Sequence, residues 1–85
     1  MVGTVRVLLF STARTAVGRA QLDWPVAPEG VRADELVRAL GVAYPALSRV
    51  LRTARLVRNG AYLGRGSERL RAGDEFAVHP PYGGG

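Results

Sequence analysis

The 85 residues predict an α+β domain, a mixed sheet of four to five strands with one main helix packed on one face. Three observations carry this. Two segments near opposite ends, Val5 to Phe10 and Glu75 to His79, alternate their apolar residues with period two. The segment from Arg32 to Tyr44 instead repeats them every three or four residues, the spacing of a helix with one buried stripe. Between helix and final strand lies Asn59-Gly60, a strong signal for a two-residue hairpin turn.

In the first strand, Val5, Val7 and Leu9 make one wholly apolar face, while Arg6, Leu8 and Phe10 make a second face that turns apolar towards its end. Two-sided apolarity at the N-terminus predicts a central strand. Ser11 to Gly18 is small or polar and closes on glycine, so it reads as a loop. Ala20, Leu22, Trp24 and Val26 then alternate with Gln21 and Asp23, and Pro25 and Pro28 stop the run. Proline fits an edge strand, and the two runs form a hairpin.

The helix turns Ala33, Leu36, Val37, Leu40 and Tyr44 towards the core, with Asp34 and Glu35 in its first turn. Carboxylates there favour the positive end of the helix dipole. Pro45 ends the helix, because the residue before a proline avoids helical angles. Ala46 to Leu51 adds a short turn or two, with Leu47, Val50 and Leu51 tucked under the sheet. Leu56 and Val57 lead into Asn59-Gly60, and Ala61 to Leu63 return from it. Gly64 to Arg69 is a loop; its Gly-x-Gly lacks the preceding long strand and following helix that a phosphate cradle needs. Gly73-Asp74 makes a turn, and Glu75 to His79 is the last strand, with Phe76 and Val78 on one face.

Two hairpins flank one helix, and the first and last strands are the most apolar. The arrangement that buries both pairs them in parallel at the sheet centre, which is the β-grasp (ubiquitin-like) topology. The expected organisation is a β-grasp domain over residues 1–79 and an extended tail over residues 80–85.

Composition excludes several kinds of chemistry. A domain of this length buries only about 60% of its unfolded surface and has no room for a deep enclosed cleft. Cysteine is absent, which removes disulfides, zinc-thiolate sites and thiol nucleophiles. The longest apolar run, Val7 to Phe10, is far shorter than the ~20 residues of a membrane helix, and no secretory leader pattern opens the chain. The expected location is cytoplasmic. All 12 basic residues are arginine and the net charge is +5, which suits an acidic partner surface or nucleic acid. Only Arg49 to Arg58 is dense enough to form a patch, and no aromatic interleaves there to stack bases, so nucleic acid is the weaker reading.

The tail is His79-Pro80-Pro81-Tyr82-Gly83-Gly84-Gly85. Two prolines hold φ near −65° and make an extended stem. Three glycines lack Cβ atoms and can enter a channel closed to other residues. A flexible tip on a stiff stem suits a terminus handed into another protein's site, although glycine-rich ends also fray.

With these residues in place, the chain resembles the MoaD/ThiS family of ubiquitin-like sulfur carriers, most of all its branch of molybdopterin synthase small subunits. The resemblance runs over nearly the whole chain. It rests on Val7-Leu8-Leu9-Phe10 with Arg14 and Gly18, and on Leu36, Leu40, Tyr44 and Pro45 in the helix. It continues through Val57, Asn59 and Gly60, where Arg58 interrupts the family's Val-Asn-Gly, then Leu70 with Gly73-Asp74-Glu75, and Pro80 to Gly85 at the end. The family departs from this chain in three respects: it has a small aliphatic residue where Tyr82 stands, an apolar residue where His79 stands, and many acidic members.

The resemblance implies that an ATP-dependent, ubiquitin-activating-type enzyme adenylates the carboxylate of Gly85, and that sulfur transfer makes it a thiocarboxylate. Gly83, Gly84, Pro80, Pro81 and Tyr82 then give the tail access to the large subunit of molybdopterin synthase, which supplies the catalytic side chains. The resemblance further implies that this chain is a carrier and cosubstrate with no tightly bound cofactor and no metal. Rival readings are a carrier for thiazole, cysteine or tRNA thiolation, or a basic binding module without thiocarboxylate chemistry.

For partner contact the candidates are Leu8, Phe10, Arg14 and His79. Leu8 and Phe10 read either as core or cross-strand packing, or as an exposed apolar patch where the activating enzyme or large subunit docks. Arg14 is a rim contact or a solvated loop residue. His79 reads as a strand-end packing or solvent-facing residue rather than a pH switch or ligand.

Overall fold

The computed structural model describes residues 3–64, 66 and 68–81. Strand β1 (Gly3–Leu9), edge strand β2 (Gln21–Val26), the hairpin β4 (Arg55–Arg58) and β5 (Ala61–Tyr62), and β7 (Glu75–His79) form one sheet in the order β2-β1-β7-β4-β5. β1 and β7 pair in parallel, Val7 opposite Phe76 and Leu9 opposite Val78, while the other pairings are antiparallel. This is the expected β-grasp order with its two most apolar strands adjacent at the centre.

The core lies between this sheet and the helices. Val5, Val7, Leu9, Leu22, Val26, Leu56, Phe76 and Val78 point into it from the strands. Helix α2 (Ala33–Ala43) supplies Ala33, Leu36 and Leu40, all fully buried. No polar or charged side chain is buried among the described residues. The first turn of α2 is held by Glu35, whose Oε1 accepts from the Arg32 amide at 3.1 Å, and Asp34 takes a two-pronged contact from the Arg32 guanidinium at 3.1 and 2.8 Å. Arginine carries no acceptor, so only the Glu35 half of a capping box forms here.

Three segments differ from expectation. Ser11 to Gly18 is not a loop: residues Thr12–Val17 form helix α1, with Ala13 buried and Ala16 and Val17 packed on the core. The apolar spacing of three and four was present but spans under two turns. Gly18 ends it in the left-handed conformation, φ 84°, its amide donating to the Arg14 carbonyl at 2.7 Å. After Pro45 the expected turn or two is a nine-residue helix, α3 (Pro45–Thr53), burying Leu47 and Leu51. Proline both stops α2 and opens α3, because the first helical position needs no amide donor. Finally, β3 (Val31–Arg32) and β6 (Arg69–Leu70) pair in a small second sheet that closes one end of the core through Leu70.

The Asn59-Gly60 hairpin forms as predicted, with φ values of 49° and 85° at its two central residues. Both are left-handed, as a turn matched to strand twist requires.

Candidate functional site

The site is built on the face of the sheet that the helices leave open and on the strand end from which the tail departs. Side chains alternate across a strand, so burial of Val5, Val7 and Leu9 obliges Arg6, Leu8 and Phe10 to face outward. Leu8 is half-buried and Phe10 is 42% exposed. Neither belongs to the core, so the core-packing alternative is corrected: both pack across strands on an accessible surface.

Register lines up an apolar row. Leu8 lies opposite Ala77, Ala77 opposite Val57 and Val57 opposite Tyr62, crossing β1, β7, β4 and β5 in turn. Tyr62 is 75% exposed. One pair nearer the tail, the row is aromatic and cationic. The ring of Phe10 stacks on that of His79 with centroids 4.5 Å apart and planes 9° from parallel. His79 pairs across β4 with Arg55, whose guanidinium sits 5.5 Å from the centre of the Tyr62 ring and donates to its hydroxyl at 3.4 Å. In the opposite direction the row is polar, with Arg6 between Asp23 and Glu75 and 4.0 Å from the Glu75 carboxylate. The open face is therefore graded from charged at one end to aromatic at the tail.

The tail leaves from the aromatic end. The Phe10 amide donates to the Val78 carbonyl at 3.4 Å, which holds the end of β1 against the end of β7. Ser11, at φ 53°, then turns the chain away into α1 and leaves Phe10 as the last side chain of its row. Pro80 is half-buried and Pro81 exposed beyond His79. Tyr82, Gly83, Gly84 and Gly85 lie outside the described residues.

Of the four candidate partner contacts, the structure brings Phe10 and His79 into contact and puts Leu8 beside them on the same face. Arg14 is not on a loop but on α1, exposed, and no ion pair engages it among the described residues. Sequence reasoning passed over Val57, Tyr62 and Ala77. Their signal was the alternation within each strand, which becomes a patch only once β7 is set between β1 and β4.

At the far end a cleft of about 310 Å³ is lined by Thr4, Arg6, Asp23, Asn59, Asp74 and Glu75. Asn59 spans it, with Nδ2 donating to Asp74 at 3.1 Å and its Oδ1 accepting the Glu75 amide at 2.9 Å. The other Asp74 oxygen accepts the Arg71 amide at 2.8 Å. These groups already partner one another and fasten two turns together. Among the described residues no three carboxylate or imidazole groups converge to hold a metal ion, and no helix is long and apolar enough to cross a membrane.

Comparison with known proteins completes the description. The model of the ThiS family matches residues 7–85. The molybdopterin synthase sulfur carrier subunit of Chlamydomonas reinhardtii is 30% identical over 82 residues, covering 95% of this chain and 98% of that protein. Among solved structures, SAMP1 from Haloferax volcanii superposes with a TM-score of 0.81 at 31% identity, covering 98% of this chain and all of that one. A complex of subunits 1 and 2 of molybdopterin-converting factor from Helicobacter pylori matches the fold, with a TM-score of 0.68 at 22% identity over the full length of both chains.

Proposed function

Because the chain belongs to the ThiS family, we propose that it is the sulfur-carrying small subunit of a molybdopterin synthase, with Gly85 as the residue that bears the sulfur. The observation that supports this most is the graded open face. Its apolar row is followed, one pair nearer the tail, by Phe10 and His79, where the Pro80-Pro81 stem begins, so a partner docked on this face is placed to receive the tail. The Chlamydomonas relative, of almost equal length, supports the same pathway. The Helicobacter complex supports a second subunit as the recipient.

In this reading the Gly85 carboxylate attacks the α-phosphorus of ATP held by an activating enzyme, and pyrophosphate leaves. Hydrosulfide, sulfur at the sulfide level, then attacks the acyl carbon; the C–S bond forms, the acyl C–O bond to AMP breaks, AMP leaves and the S–H proton is lost to solvent, giving a terminal thiocarboxylate. The large subunit takes the tail and catalyses sulfur transfer to the pterin precursor. Leu8, Phe10, Val57 and Tyr62 dock the carrier on both enzymes, the diproline supplies a stiff stem, and Gly83 and Gly84, which lack Cβ atoms, suit a narrow channel in the partner. The chain contributes a substrate group rather than an acid or base.

A second reading follows from similarity to SAMP1, a small archaeal modifier protein. The same activated carboxyl would then acylate an amine of another protein. Both readings need the adenylate, and they part at the next step.

Intact-mass analysis after co-expression with the activating enzyme of the source organism tests the proposal. A species heavier by one oxygen-to-sulfur exchange is expected, and it should vanish when Gly85 is deleted. Absence of that species with every such enzyme overturns the carrier reading. An adduct on a second protein, with no thiocarboxylate, favours the modifier.

A further inference from the structure

We propose that the groove between α2 and α3 is a second docking site, taking a short acidic segment of a protein partner that inserts one apolar side chain. The groove lies on the helical layer, on the other side of the core from the open sheet face, and needs neither the tail nor its sulfur chemistry. It holds about 360 Å³ and is lined by Val37, Arg38, Gly41, Val42, Ser48, Leu51 and Arg52.

Its chemistry defines the occupant. Val42 is 77% exposed, and half-buried Val37 lines the same groove. Gly41 contributes no side chain, so the floor between the two valines is bare backbone that approaches Ser48 of α3; a Cβ on Gly41 would lie 3.4 Å from the Ser48 Cβ. A groove of this volume admits an apolar side chain together with part of the segment that carries it.

The rim is cationic. Arg38 comes from α2 and Arg52 from the last turn of α3; both are exposed, and neither enters an ion pair among the described residues. No carboxylate lines the groove. The acidic residues of α2 stand in its first turn and are occupied, Asp34 by the Arg32 guanidinium and Glu35 by the Arg32 amide. Two unpaired guanidiniums flanking an apolar hole complement carboxylates that flank an apolar anchor. Nucleic acid fits less well, since no aromatic ring lines the groove to stack a base and the cations bracket a hole rather than follow a backbone.

The test uses the full ¹⁵N-labelled chain and an end-capped peptide with glutamates on both sides of a central leucine. Its controls are the same peptide with lysine for glutamate, an oligouridine, and vesicles of phosphatidylcholine with phosphatidylserine. Saturable amide shifts are expected at Val37, Gly41, Val42, Ser48 and Arg52 with the glutamate peptide alone. Arg38→Glu and Arg52→Glu should each weaken binding about tenfold, and Val42→Asp should abolish it. All three positions are exposed, so the variants stay folded and their spectra verify it. Shifts on the open sheet face, equal binding of the lysine peptide, stronger binding of oligouridine or vesicles, or no saturable shift would each overturn the proposal. The thiocarboxylate mass measurement is independent of all these outcomes.

Discussion

Phe10 and His79, 69 positions apart in the sequence, stack ring on ring at 4.5 Å where the first strand ends and the tail begins. The contact follows from parallel pairing: once Leu8 stands opposite Ala77 and Leu9 opposite Val78, the next residues of the two strands meet. His79 is followed directly by Pro80, where the chain leaves the sheet, so in the proposed function this contact lies between the proposed docking face and the tail.

A double-mutant cycle with Phe10→Ala and His79→Ala measures the contact. Stacked aromatic pairs contribute about 0.5–1.5 kcal/mol beyond area burial, and the exposure of Phe10 puts this pair in the lower half of that range. Urea unfolding of the four proteins gives the coupling. A value indistinguishable from zero means the rings are adjacent without interacting.

Two glycines with the same φ should respond differently to alanine. Gly60, at φ 85°, has open space where a Cβ would go, so Gly60→Ala carries only left-handed strain, about 1–2 kcal/mol. At Gly30, φ 84°, the added Cβ would also collide with the backbone carbonyl of Leu70. That oxygen belongs to the β3–β6 pairing and cannot move without breaking it. Gly30→Ala should therefore lower the urea midpoint more than Gly60→Ala does. The reverse order would mean that the small sheet yields freely.

Asn59 does two jobs that substitution can separate. Its φ of 49° serves the hairpin, and its amide bridges Asp74 and the Glu75 backbone. Asn59→Gly keeps the turn and removes both bridges, at about 0.5–1.5 kcal/mol for each net hydrogen bond lost. Hydrogen exchange at the Glu75 amide should accelerate in this variant while Val57 in β4 stays protected. Unchanged exchange at Glu75 would show that water replaces Asn59 without loss.

Much of this architecture was legible because period-two and period-four patterns survive in residues such as Val5, Val7, Leu36 and Leu40. What escaped reading has physical causes. Helix α1 is too short for Ala13, Ala16 and Val17 to outweigh Ser11, Thr12 and Thr15. Pro45 was read as a terminator, although the residue that stops one helix can be the first of the next. Strands of two residues, β3 and β6, have no period at all. The apolar row depends on residues far apart in the chain, Leu8 lying 49 positions from Val57 and 54 from Tyr62, so it emerges from register rather than from any local segment.

Leu8→Asp tests that row most directly, because alternation separates stability from docking at neighbouring positions. Val7 is fully buried against the core, and a carboxylate there would unfold the domain. Leu8, one residue on, faces the open side and is half-buried, so an aspartate keeps one side in water and should cost about 1 kcal/mol of stability. A carboxylate in the centre of an apolar interface loses far more in binding. Affinity for the activating enzyme and for the large subunit should each fall by about 2 kcal/mol or more, roughly 30-fold, with Tyr62→Ala producing a smaller loss. Arg14→Ala, on α1, should leave both affinities nearly unchanged. Titration calorimetry against each enzyme reads all three variants. Should Leu8→Asp bind both enzymes as tightly as the parent chain, the open face is not the docking surface, and the tail alone must account for recognition.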